Sequence, residues 1–211
     1  MDEYINKLNE NIINLIDNIQ KPIILELGVQ NGRSTKKFLE ICNNNDGKLY
    51  SVDIDNCADV VPKDPKWKFI QSRDDNFKLI KAEIPSKIDI LYIDTLHEAK
   101  HVENIFFNYY DLINENGYIF IDDISHLPYL KNQERENFYC EINNKETFEC
   151  LLEIYLKNKD SFNLNFSFKS SGLAIIQKIN DSSLNKRLKI RTREFSLKNF
   201  VRKICSNLKT N

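Results

Sequence analysis

Apolar positions along the chain switch between two periods. Ile5, Leu8, Ile12, Leu15, Ile16 and Ile19 recur at helical spacing, which predicts a leading amphipathic helix ended by Pro22. A short β-branched run, Ile23–Leu27, follows as a buried strand, and Ser34–Cys42 reads as the helix after it. The same alternation continues, with strands expected at Leu49–Ile54, Trp67–Gln71, Lys87–Asp94 and Tyr118–Ile121. Helices are expected after Asp75 as far as Lys81 and over His101–Ile113. Residues 125–147 are polar and break the pattern, as a lid over the strand ends would. A helix carrying Phe148, Leu151, Leu152, Tyr155 and Leu156 comes next. Phe162–Phe168 alternates strictly, and Gly172–Ile179 is a last apolar strand, so the short link between them predicts an antiparallel hairpin.

Strands separated by helices at this spacing predict an α/β, Rossmann-like, doubly wound and mostly parallel seven-stranded sheet with a C-terminal antiparallel hairpin. In such sheets ligands gather beyond the carboxyl ends of the strands. The chain places its polar residues there: Gly28 and Gly32 after the first strand, Asp53 and Asp55 ending the second, Asp94 the fourth, Asp122 and Asp123 the fifth. Two of only five glycines fall in the turn Gly28–Gly32, where backbone must pass close to something or adopt a positive φ. A strand, a glycine turn and a helix N-terminus suit an anionic or nucleotide-like ligand. A dinucleotide fingerprint would need a third glycine at position 30, which is Gln.

Composition narrows the setting. A chain of 211 residues with 41% hydrophobic and 29% charged residues reads as one soluble globular domain with an extension. The acidic, interrupted N-terminus reads as neither signal peptide nor membrane span, and five cysteines without a Cys-x-x-Cys pair suit a reducing cytoplasm. Residues 1–180 form the expected domain, and 181–211 a basic helical extension with nine Lys and Arg against two acids. Its partly apolar stripe (Phe195, Leu197, Phe200, Val201, Ile204, Leu208) could dimerise, dock on the domain or touch an anionic membrane. No basic groove interleaved with aromatics suggests a nucleic-acid partner.

With Glu26-Leu27-Gly28 and Gly32 in place, residues 22–180 resemble the class I S-adenosylmethionine-dependent methyltransferases. That resemblance implies a cofactor site made from Glu26, Gly28, Gly32, Ser34, Asp53 and Asp74 or Asp75. Ser34 would hold the cofactor carboxylate, unless it is only an N-cap. Asp53, rather than Asp55, would take the ribose hydroxyls. Three acids at neighbouring strand ends, Asp94, Asp122 and Asp123, repel one another unless a positive charge sits among them. They suit a hard cation, Mg²⁺ or alternatively Mn²⁺ or Ca²⁺. Together with Asp94-Thr-Leu-His97 they resemble the metal-dependent sugar O-methyltransferases of the macrocin and cephalosporin-hydroxylase-like group. This implies methylation of a hydroxyl on a sugar or related small acceptor, with His97 as base and Asp94 beside it; His101 and His126 are further candidates. The Asp-Asp pair departs from the Glu-Asp and Asp-Asn pairs of related enzymes, a departure that bears on metal dependence more than on methyl transfer. The rival readings are a hydroxylase-like metal enzyme and a silent binding module.

Overall fold

A computed structural model describes residues 2–125, 138–190 and 196–202 of the chain. Its centre is a single sheet in the order β3-β2-β1-β4-β5-β7-β6. The strands are β1 (Ile23–Leu27), β2 (Lys48–Asp53), β3 (Trp67–Gln71), β4 (Ile88–Ile93), β5 (Ile113–Asp122), β6 (Phe162–Ser167) and β7 (Leu173–Lys178). The first five run parallel; β7 pairs antiparallel with β5, and β6 with β7. The expected seven-stranded sheet with its closing hairpin is therefore present. Its strand order reverses between β1 and β4, and the crevice at that switch point is where Gly28 and Asp94 meet.

Helices cover both faces, which explains why the inner strands are apolar on both sides. On one face α1 (Glu3–Leu8), a short α2 (Asn14–Ile16) and α3 (Arg33–Asn44) pack Leu8, Ile12, Ile16 and Phe38 on Ile24, Ile90, Tyr92 and Phe120. On the other, α4 (Phe77–Glu83), α5 (Ala99–Tyr109) and α6 (Phe138–Lys157) cover Leu25, Leu27, Leu91, Ile93 and Ile121. Alternate residues of β1 thus serve opposite layers, and Glu26 points at the α3 layer with Ile24.

Three local departures from the sequence pattern have physical causes. The leading helix is not continuous: a π-helical turn, Asn9–Ile13, joins α1 to α2. Its wider turn keeps Leu8, Ile12 and Ile16, spaced by four, in line on the sheet, while Leu15 is left exposed. Strand β5 starts five residues earlier than expected, because Asn116 adopts a positive φ and the strand bulges through the Asn-Gly pair instead of turning there. Helix α6 begins at Phe138, so the C-terminal part of the expected lid is helical; residues 126–137, with His126, lie outside the described residues.

Residues 181–190 form neither helix nor strand. They run over the α5–α6 face, where Arg187 bridges Glu103 and Glu153 and Leu184 rests on the core. Of the expected C-terminal helix, residues 197–202 are described and are helical, with Leu197, Phe200 and Val201 exposed; residues 191–195 and 203–211 lie outside the described residues.

Candidate active site

The glycine turn is shaped by its neighbours. Gly28 has φ +94, and a Cβ built there would stand 1.9 Å from the Asp94 carbonyl oxygen. The turn can pass the end of β4 only without a side chain. Gly32 has φ +72 and fits against Val60, with Gln30 also at positive φ between them. The backbone then enters α3 directly.

Beneath this turn lies Glu26, fully buried. Its carboxylate accepts hydrogen bonds from Ser34 Oγ (2.6 Å), Thr35 Oγ1 (2.9 Å) and Ser51 Oγ (2.6 Å). Burial pushes its carboxyl up to about 7, against the pull of those three hydroxyls. Glu26 therefore does not line the cavity. It ties β1, β2 and the first turn of α3 into one unit. Ser34 does line the cavity, but with its hydroxyl proton committed to Glu26, so what it presents there is an acceptor oxygen.

Asp53 closes the turn from the end of β2. One carboxylate oxygen accepts from the Val29 and Gln30 amides at 2.8 and 3.0 Å, and the other from the Asp55 amide at 3.0 Å. Partial burial opposes ionisation, but these amides hold the carboxyl below its usual range. Asp53 stands between two adjoining cavities, of about 470 and 340 Å³, which also share Gly28, Asp94 and Thr95. The smaller is walled by Val52, Ile54, Leu96, Asp74 and His101, a half-apolar slot with a polar end. There Asp74 accepts from Thr95 Oγ1 at 2.6 Å and lies 2.7 Å from His101 Nε2. Asp75 is turned away and forms a two-pronged ion pair with Arg73. Of the two expected adenine-side acids, Asp74 faces the cavity.

The larger cavity holds Asp55, Asp94, His97, Asp122 and Asp123 with the glycine turn. His97 Nε2 is 3.2 Å from Asp123 Oδ2 and 3.6 Å from Asp94 Oδ1. Asp123 sits at φ +57, a left-handed conformation that aims its side chain at His97 and away from the strand direction. Tyr92 donates to Asp122 Oδ2 at 2.8 Å and Tyr4 to Asp94 Oδ2 at 3.2 Å, and the two phenols are 3.0 Å apart. Burial, then the neighbouring Asp122, pushes the Asp94 carboxyl up to about 6.

The positive charge that the acids require comes from within the chain. Lys7, fully buried, pairs with Asp122 Oδ1 and also donates to Ser171 Oγ at 2.7 Å. Both oxygens of Asp122 are thus occupied, one by an ammonium and one by a phenol. Among the described residues no three acid, histidine or cysteine side chains are grouped to hold a cation. The expected Mg²⁺ ligands do not fit a metal as they stand, since a dication needs free carboxylate lone pairs and would lie beside a buried ammonium.

Of the residues expected from sequence, Gly28, Ser34, Asp53, Asp94, His97, Asp122 and Asp123 line one cavity, whereas Gly32 packs against Val60 behind the turn. The sequence reading missed Lys7 and Tyr4. Both belong to the leading helix, read there only for its apolar stripe. A signal was available: Tyr4 and Lys7 are three apart and flank Ile5 and Leu8, so one edge of the buried stripe is polar.

Comparison with known proteins agrees with this architecture. Residues 25–124 match the family model described as a methyltransferase domain. No curated protein matches the chain by sequence. Among solved structures, the MycE methyltransferase of mycinamycin biosynthesis, in complex with Mg and S-adenosylhomocysteine, superposes with TM-score 0.64 at 16% identity. That match covers 82% of this chain, which spans about half (50%) of MycE. A proposed caffeoyl-CoA O-methyltransferase from Staphylococcus aureus gives TM-score 0.62 at 17% identity, covering 84% of each chain. The S-adenosylhomocysteine-bound methyltransferase PaMTH1 of Podospora anserina gives 0.62 at 15% identity, covering 80% of this chain and 76% of its own. With its glycine turn, acid-ended β2 and β5-β7-β6 edge, the chain has the fold of these methyltransferases, and its residues 25–124 match the methyltransferase-domain model.

Proposed function

We propose that this protein methylates a hydroxyl oxygen of a small polar acceptor, a sugar or sugar conjugate, with His97 as the base. The observation that carries this reading is that the glycine turn and the His97–Asp94–Asp123 group line the same cavity. One wall suits the methyl donor, and the other holds a proton acceptor of the right kind. The polar lining of that cavity, including Gln30, Asn31 and Asp55, favours a polyol over an apolar ring. Nothing in its charge suits a polyanionic nucleic acid.

S-adenosylmethionine, when bound, supplies a methyl group on a positively charged sulfur. The acidic cavity favours that cation over the neutral thioether left after transfer. Asp53, with three of its about four acceptor sites taken by amides, offers the remaining one to a ribose hydroxyl, and the Asp74–His101 end offers polar atoms to the adenine edge. His97 takes the acceptor proton on its ring nitrogen while the acceptor oxygen forms its bond to the methyl carbon. The cofactor would supply the methyl group, with the electron pair of the broken methyl–sulfur bond remaining on its sulfur. Asp94 and Asp123 orient the imidazole and stabilise the imidazolium that results. Mg²⁺ is left out of this scheme, because Asp122 is already paired with Lys7.

Calorimetry with S-adenosylmethionine, followed by product assay, tests the reading. Asp53→Asn should weaken cofactor binding about tenfold or more, through loss of hydrogen bonds to a charged group. His97→Ala should leave cofactor affinity unchanged and lower kcat by roughly 10²–10⁴. Wild-type protein that gives no binding heat, or an Asp53→Asn variant that binds as wild type does, would sink it.

A further inference from the structure

Lys7 is placed where a mobile surface lysine would not be. It is fully buried, and its ammonium makes three contacts within the protein, to Asp122 Oδ1, Ser171 Oγ and, at 3.4 Å, the Gly172 carbonyl. The neighbouring residue Leu8 is buried in the sheet-facing core, so the helix that carries Lys7 cannot swing away without opening that core. Asp122 is spent on both sides, since Tyr92 donates to its second oxygen. What remains open to the cavity is Asp94 and Asp123 beside His97.

We propose that Lys7 is a built-in counter-ion that takes the place of a divalent cation at the β4–β5 strand ends and makes methyl transfer by this protein independent of metal. The inference rests on the methyltransferase reading for its consequence, but not for its geometry. The ammonium neutralises Asp122 and repels any dication approaching the remaining pair. It exposes no N–H to an acceptor, so it is a positioning residue: it fixes Asp122 and, through that carboxylate, the Tyr92 hydroxyl, whose oxygen lies 3.1 Å from Asp94 Oδ2. The pair forms between residues 115 positions apart, and it closes the site against the N-terminal helix.

Mn²⁺ titration of the full-length chain, followed by electron paramagnetic resonance, tests the counter-ion directly, without any acceptor. Wild type should show no saturable Mn²⁺ binding up to millimolar concentration, and S-adenosylmethionine should bind equally with and without EDTA. Lys7→Met, confirmed as folded by circular dichroism, unmasks Asp122 and should raise Mn²⁺ affinity on the order of a hundredfold, as expected when a like charge a few ångströms away is removed. Adding Asp122→Asn in the double variant should abolish the gain, a change that a purely structural role for Lys7 would not produce. Should Lys7→Met fail to fold, the wild-type titration decides. Saturable Mn²⁺ binding by wild type that Asp122→Asn removes would overturn the proposal, as would a folded Lys7→Met with no gain. A protein that binds neither Mn²⁺ nor S-adenosylmethionine would keep the counter-ion and lose the methyltransferase reading, so the two failures are distinguishable.

Discussion

At the scale of single residues, the site rests on positions whose chemistry is dictated from behind. Gly28 is the sharpest case, because any Cβ there collides with the Asp94 carbonyl. Gly28→Ala should destabilise the fold by about 2–4 kcal/mol, from overpacking and the positive φ together, and thermal unfolding measures it. Glu26 is the other case. Its carboxyl is held near 7 in the folded protein against an ordinary value of 4.5. Between those values the folded state binds more protons than the unfolded chain, so this group's contribution to stability falls as pH rises from about 4.5 to about 7. Each tenfold change in proton affinity is worth about 1.4 kcal/mol, so the loss across that window comes to a few kcal/mol. Glu26→Gln removes the titration, and urea melts across that window should lose most of their pH dependence. Melts that keep the full wild-type slope would assign it elsewhere, with Asp94, raised to about 6 and of the same sign, as the next group to test.

The elements show what was legible in the chain and what was not. Strands β1, β2 and β4 were readable because each is a short, mostly buried run on a two-sided sheet, bounded by Gly, Pro or acid; β3, an edge strand with only Ile70 buried, was readable from Trp67, Phe69 and Ile70 after the Pro-containing loop. The acids at the strand ends were readable for the same reason, since topology alone sends them to one side. The bulge in β5 was not, because Asn116-Gly117 has the same residues whether the chain turns or bulges. Nor was the part played by α1. A lysine beside an apolar stripe looks like a solvated edge until a carboxylate 115 residues away is brought to it. Glu26 was misplaced in role for a related reason: the sequence shows it next to the glycine turn, but not that its side chain points into the α3 layer. Leu8→Ala offers a check on α1. It should cost about 2–5 kcal/mol as a buried large-to-small change. It should also weaken S-adenosylmethionine binding, because Tyr4 and Lys7 share its helix. Stability lost with cofactor affinity intact would separate α1 from the site.

For the molecule as a whole, the sheet core and the C-terminal segment are unequal partners. Residues 181–190 are tied down through Arg187, whose guanidinium lies between Glu103 and Glu153, and through Asn185 on Asn158. Residues 196–202 instead expose Leu197, Phe200 and Val201. No helix among the described residues is long and apolar enough to cross a membrane. Removal of residues 196–211 should therefore leave melting temperature and cofactor binding nearly unchanged. If the basic segment meets an anionic surface, the same truncation should abolish co-sedimentation with phosphatidylserine vesicles. Equal sedimentation of both forms would assign the segment no such role.

The pairing of Lys7 with Asp122 also bears on how the chain is made. Lys7 precedes Asp122 by 115 positions and Ser171 by 164, so it is synthesised well before either. Contacts between positions so far apart form slowly, since the intervening chain must be ordered first. Lys7 is therefore carried without its carboxylate through the early part of biogenesis, and its pairing is completed only when the end of β5 and the Ser171–Gly172 turn come together beside it.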